Sequence, residues 1–135
     1  MTPALYALIG FVFWTLILFV CLSTARTVAV MSGQAQPNEF PAGVPHGGDF
    51  YWRLNRAHSN CLENLALFAT VVLVGSVIGL ESESFHTLAR VFVFARVAQS
   101  ITHLISGSSI AVNIRFAFFL IQMVSLVVMA VQIVS

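Results

Sequence analysis

Arg53, Arg56, Asn60 and Glu63 follow one another at spacings of three, four and three, which on a helix of 3.6 residues per turn puts all four on one face. Their chemistry is complementary. A guanidinium takes a carboxylate in bidentate fashion, and a carboxylate accepts hydrogen bonds from an ammonium, so the stripe suits a small ligand carrying both groups. Arg96, Gln99 and His103, spaced by three and four, form a second stripe, and Arg115, Gln122, Ser125, Met129 and Gln132 lie near one meridian of a third helix. The four histidines, His46, His58, His86 and His103, share no metal-ligand spacing, and no metal is expected. Cys21 and Cys61 sit in apolar or helical stretches rather than in loops, so two free thiols are expected, with Cys61 acting as a small apolar residue rather than a catalytic thiol.

The elements that must position these side chains are written in the composition. The chain has 135 residues, 59% hydrophobic and 8% charged, with no lysine. That excludes a soluble domain, which keeps about 25% charged residues, and leaves most of the surface facing lipid. A net charge of +1 with scattered arginines excludes nucleic acid as the partner. Residues 4–25 carry no charge and are long enough for the roughly 20 residues that cross a bilayer core. No basic segment or cleavage site accompanies them, so they read as a resident span rather than a signal peptide.

The first helix is expected to end near Arg26. Gly33, Pro37, Pro41, Gly43, Pro45, Gly47 and Gly48 make residues 32–48 the longest loop. Asp49 reads as the N-cap of a second helix over about 50–80, roughly 45 Å long, whose polar start lies near one membrane face. An acidic turn at 81–84 precedes a third span over about 85–105. Residues 106–109 read as a loop, and the fourth span starts near Asn113. The expected architecture is all-α, an integral membrane four-helix bundle with 1–135 as a single four-span domain. Arg26, Arg53, Arg56 and Arg115 gather on the side of loops one and three, opposite the acidic turn. The positive-inside rule then puts those loops in the cytoplasm and both termini on the other side.

Ionisable groups at membrane depth cost roughly 2.5–3.5 kcal/mol each on insertion scales, so they face a bundle interior or a wet cavity. One reading is that they pair with each other as glue between helices. Glu63 alone cannot neutralise Arg26, Arg53, Arg56, Arg96 and Arg115, and the surplus positive charge favours an anionic ligand. Twelve phenylalanines, Phe116, Phe118 and Phe119 among them, are chiefly lipid contact and packing.

The segment Arg53, Leu54, Asn55, Arg56, Ala57, His58, Ser59, Asn60, Cys61, Leu62, Glu63 resembles the helix-two signature of the membrane-associated proteins in eicosanoid and glutathione metabolism, the MAPEG family. Ala25 with Arg26, the run Phe94, Ala95, Arg96, the position of Arg115 and the four-span layout support the likeness over the whole chain. The resemblance implies a homotrimer with glutathione, as co-substrate, bound between neighbouring subunits near the cytoplasmic face. Arg56, Asn60 and Glu63 resemble the family's helix-two glutathione positions. Arg26 and His58 resemble positions supplied by the adjacent subunit, consistent with His58 lying about 200° around the helix from Arg56. Arg96 and His103 join the candidate glutathione set, His103 or Gln99 standing where eicosanoid-forming members carry a tyrosine. Arg115 resembles the catalytic arginine that holds the glutathione thiolate. Lowering a thiol pKa from about 8.5 by about two units needs roughly 2.7 kcal/mol of anion stabilisation, which a guanidinium at low dielectric supplies. The implied activity is that of a membrane-bound glutathione transferase or peroxidase, with a hydrophobic electrophile or lipid hydroperoxide as second substrate. A non-catalytic lipid-binding or scaffolding protein on the same fold is the alternative. Without an inverted repeat or a pair of interrupted helices, a transporter is disfavoured.

Overall fold

A computed structural model describes all residues 1–135. It contains four helices and no strand: α1 (Pro3–Met31), α2 (Asp49–Val77), α3 (Glu83–Ile105) and α4 (Ser109–Val134). Each is long and apolar enough to cross a membrane. Only α-helices satisfy every backbone group internally in hydrocarbon without closing a barrel, so an apolar chain with no alternating pattern folds this way.

Four boundaries differ from the sequence expectation, each for a local reason. Helix α1 continues five residues beyond Arg26, because nothing before Gly33, whose φ is +74°, forces the chain out of the helical region. Gly48, not Asp49, is the N-cap of α2, and Asp49 occupies the first turn, where a carboxylate complements the helix dipole. The far end of α2 stops at Val77 rather than near Leu80. Gly79 takes φ +71° and the Leu80 amide turns back to the Gly75 carbonyl at 2.9 Å, a glycine-terminated helix end. Helix α4 begins at Ser109, because the Ser108 hydroxyl accepts from the Ala111 amide at 3.3 Å, so the serine-rich loop contains its own N-cap. Ser82 caps α3 in the same way, accepting from the Phe85 amide.

The core follows from the helical period. On α1 the buried residues Ala4, Leu8, Phe11, Thr15, Leu18 and Leu22 alternate spacings of four and three, a single seam. Phe11 meets Phe68 of α2 and Phe92 of α3, each with ring centroids 5.9 Å apart and edge to face. Phe68 and Phe92 stack at 4.3 Å. At the acidic-turn end, Gly75 lets α2 and α3 close up, since a Cβ there would stand 2.6 Å from Phe85 Cζ. Helix α3 packs against all three others, while α1 and α4 do not touch. The α2–α3–α4 side is where the polar stripes converge.

Candidate functional site

Around the α2 axis, with 100° per residue, Arg53 and Asn60 fall at one edge of the polar stripe and Arg56 and Glu63 at the other, about 80° across. Arg53 and Asn60, at the first edge, both reach α3, and Asn60 also lines the cavity that Arg56 and Glu63 share. Arg53 turns to α3 and donates from Nε to the Leu104 carbonyl at 3.4 Å, helping to satisfy a helix end. Arg56, Asn60 and Glu63 line one cavity of about 490 Å³ with Gly43, Trp52, Asn55 and Ser59. Seven lining residues include one cation, one anion, two amides and a hydroxyl, with a single large apolar side chain. Arg56 and Glu63 are both exposed on the surface of the single chain, at the polar end of a membrane span.

From Asn60 a hydrogen-bonded chain crosses the bundle. The Asn60 amide lies 3.3 Å from His103 Nε2 on α3, and His103 Nδ1 lies 3.2 Å from Arg115 Nη1 on α4. Arg115 also donates from Nη1 to the Ser106 carbonyl at 3.3 Å. Gln99 Nε2 donates to the Arg115 carbonyl at 3.0 Å, and the Gln99 oxygen accepts from the buried Gln122 at 3.1 Å. These bonds join the second and third polar stripes read from the sequence. They bring Arg115 to within one imidazole of the cavity without making it part of the cavity wall.

Three expected site residues lie outside that cavity's wall, two of them in a groove that adjoins it through Gly43, Asn55 and Ser59. His58 is buried on the α1 side of α2, with its ring 5.7 Å from that of Phe19. Arg26 donates from Nε to the Tyr51 hydroxyl at 2.8 Å and carries its guanidinium 5.5 Å from the centre of the Phe40 ring. Both line a groove of about 300 Å³ between α1 and α2, roofed by residues 40–43. Below it, an apolar depression of about 250 Å³ shares Phe19, His58 and Leu62. Arg96 is only 2% exposed within the bundle, and its Nε and Nη2 have no hydrogen-bond partner. The Ser100 hydroxyl, one turn on from Arg96, donates to the Arg96 carbonyl and stands 3.5 Å from Cys61 Sγ. Both cysteines are free thiols, Cys61 buried, and no metal-binding cluster is present.

Arg90 with Glu83, at 3.0 Å, is the one arginine–carboxylate pair, and it lies at the acidic turn with the His86–Glu81 contact. Arg26, Arg53, Arg56, Arg96 and Arg115 therefore have no carboxylate partner in the chain. Glu39 and Asp49 share the loop-one end with them, yet Glu39 accepts from the Gln36 amide and Asp49 sits at the start of α2. The sequence reading does not single out the wall residues Trp52, Asn55 and Ser59, or the Tyr51, His46 and Phe40 cluster around Arg26. Their contacts depend on how loop one folds back over the helix ends. Gln99 and Gln122 stand in the second and third polar stripes, and their bond across α3 and α4 is set by how those helices pack, which spacing along either one does not encode.

Four membrane-length helices with polar stripes meeting at one end define a polytopic membrane protein with a ligand-sized polar site. The MAPEG family model matches residues 4–135, and the chain belongs to the MAPEG family. No curated protein matches it. The family includes glutathione transferases and related enzymes, and it has non-catalytic members.

Proposed function

We propose that this protein is a membrane-bound glutathione transferase or peroxidase, which activates the glutathione thiolate for attack on a hydrophobic electrophile or a lipid hydroperoxide. The observation that carries the reading is the cavity in which Arg56, Asn60 and Glu63 stand together without internal ion pairs. Glutathione carries two carboxylates, an ammonium, two amides and a thiol. Arg56 is suited to a carboxylate, Glu63 to the ammonium, and Asn55, Asn60 and Ser59 to the peptide groups. Arg115, linked to this cavity through His103, would stabilise the thiolate, the nucleophile in either reaction.

The reading includes a homotrimer. Arg56 and Glu63 are exposed on the single chain, a costly arrangement for charges at the edge of the hydrocarbon, and a neighbouring subunit closing over them removes that cost. Arg26 and His58 line the adjoining groove rather than the cavity wall around Arg56, and would serve the site of the next subunit. Arg96, buried with two unpartnered nitrogens, adds positive potential from behind the site. With loops one and three cytoplasmic, the site opens to a compartment that supplies glutathione, and both termini lie opposite. The second substrate, being apolar, arrives through the bilayer.

A non-catalytic lipid-binding role is the second reading, favoured by the apolar depression lined by Val12, Leu16, Phe19, Leu62 and Leu65. Calorimetric titration of the purified protein in detergent with glutathione separates the two. Saturable one-to-one binding per chain at up to millimolar concentration is expected, and absence of binding there would replace the enzyme reading with the lipid-binding one.

A further inference from the structure

We propose that His103 is a positioning residue that fixes both the Arg115 guanidinium and the orientation of the Asn60 amide. The proposal deepens the glutathione reading and, in its functional part, rests on it. A guanidinium has N–H donors and no acceptor, so the 3.2 Å contact between Arg115 Nη1 and His103 Nδ1 is one in which arginine donates and Nδ1 holds a lone pair. An imidazole with a lone pair on Nδ1 carries its proton on Nε2, and Nε2 is the nitrogen facing Asn60 at 3.3 Å. Two N–H groups cannot face each other there. The Asn60 amide must therefore present its oxygen to His103, since the network and not the shape of an amide decides which end is oxygen.

Two consequences follow for the site. The Asn60 NH2 is released from His103, which makes Asn60 a hydrogen-bond donor to the cavity it lines, suited to a carbonyl or carboxylate oxygen of the ligand. Arg115 is held at both ends. Its carbonyl accepts from Gln99, itself braced by Gln122, while Nη1 donates to His103 and to the Ser106 carbonyl. Its Nε and Nη2 make no hydrogen bond within the chain, so the donors left over for an anion are on a guanidinium that the imidazole has already oriented. His103 thus acts on the ligand through its two neighbours, Asn60 and Arg115.

The test is made on the full-length protein in detergent, labelled with 15N in the histidine rings. The His103 signals are identified by their disappearance in His103→Gln, and, should that variant fold poorly, by elimination using His46→Gln, His58→Gln and His86→Gln. The expected result near neutral pH is a neutral ring protonated at Nε2 and bare at Nδ1, and a ring protonated at Nδ1, or at both nitrogens, would overturn the proposal. This readout needs no glutathione, so it stands even if calorimetry shows that the glutathione reading fails. In the functional arm, His103→Leu should lower kcat for conjugation of an activated aryl halide by about tenfold or more, with KM for the halide unchanged. His103→Gln, which keeps one acceptor and one donor, should recover most of it. Equal loss in both variants, or equal retention in both, with the chain folded, would also overturn it.

Discussion

Glu63 is exposed on the cavity wall and has no arginine partner, which leaves its carboxylate available to a ligand ammonium. Glu63→Gln removes the charge and keeps the shape. A charge-assisted hydrogen bond contributes about 1.5–3 kcal/mol, so glutathione affinity measured by calorimetry should fall roughly ten- to hundredfold while thermal stability holds. Arg53 should behave in the opposite way. Its bond to the Leu104 carbonyl ties α2 to the end of α3, so Arg53→Ala should cost about 1 kcal/mol of stability and leave glutathione affinity within about twofold. The contrast also marks how far residue spacing can be read. The three-four-three pattern puts Arg53, Arg56, Asn60 and Glu63 on one stripe, but a stripe about 80° wide has two edges. Which edge meets α3 depends on the rotation of α2 in the bundle, which no local pattern encodes. For the same reason the spacing separates His58 from Arg56 but is silent on the Phe19 ring that covers His58.

At the scale of the elements, Gly75 and Phe85 decide how closely α2 and α3 approach. Phe85 is 1% exposed, so its ring cannot swing aside when a methyl group is added 2.6 Å from Cζ. Gly75→Ala should destabilise the detergent-solubilised protein by about 1–3 kcal/mol, seen as a lower thermal midpoint. Phe85→Leu in the same chain should restore part of the loss. Gly10 on α1 has nothing within 4 Å of its added Cβ. Gly10→Ala should be neutral or stabilising by up to about 1 kcal/mol, and a comparable loss at both glycines would remove the packing explanation. Helix number and type are legible from hydropathy alone because the bilayer demands them. The ends are less so: Ser108 caps α4 and Gly79 follows the Ile78 cap of α2, within stretches whose composition reads as loop or as continuing helix, and such ends are settled by single hydrogen bonds.

For the molecule as a whole, α2, α3 and α4 meet around the polar chain, whereas α1 lies apart from α4 and carries Arg26 into a groove that adjoins the cavity through Gly43, Asn55 and Ser59. The proposed site assembled from neighbouring subunits would account for that layout. Chemical crosslinking or native mass spectrometry should show trimers, and a stable, fully active monomer would contradict the shared site. Whether these arginines hold glutathione as its thiolate is read by ultraviolet difference absorbance as glutathione is added to the wild-type protein and to Arg115→Ala across a range of pH. A thiolate band is expected below pH 8 in the wild type, where free thiols of pKa about 8.5 are mostly protonated, with a rise of about one unit or more in the apparent pKa of bound glutathione in the variant. A wild type that binds glutathione without a thiolate band, or an unchanged band in a folded Arg115→Ala protein, would contradict the thiolate reading.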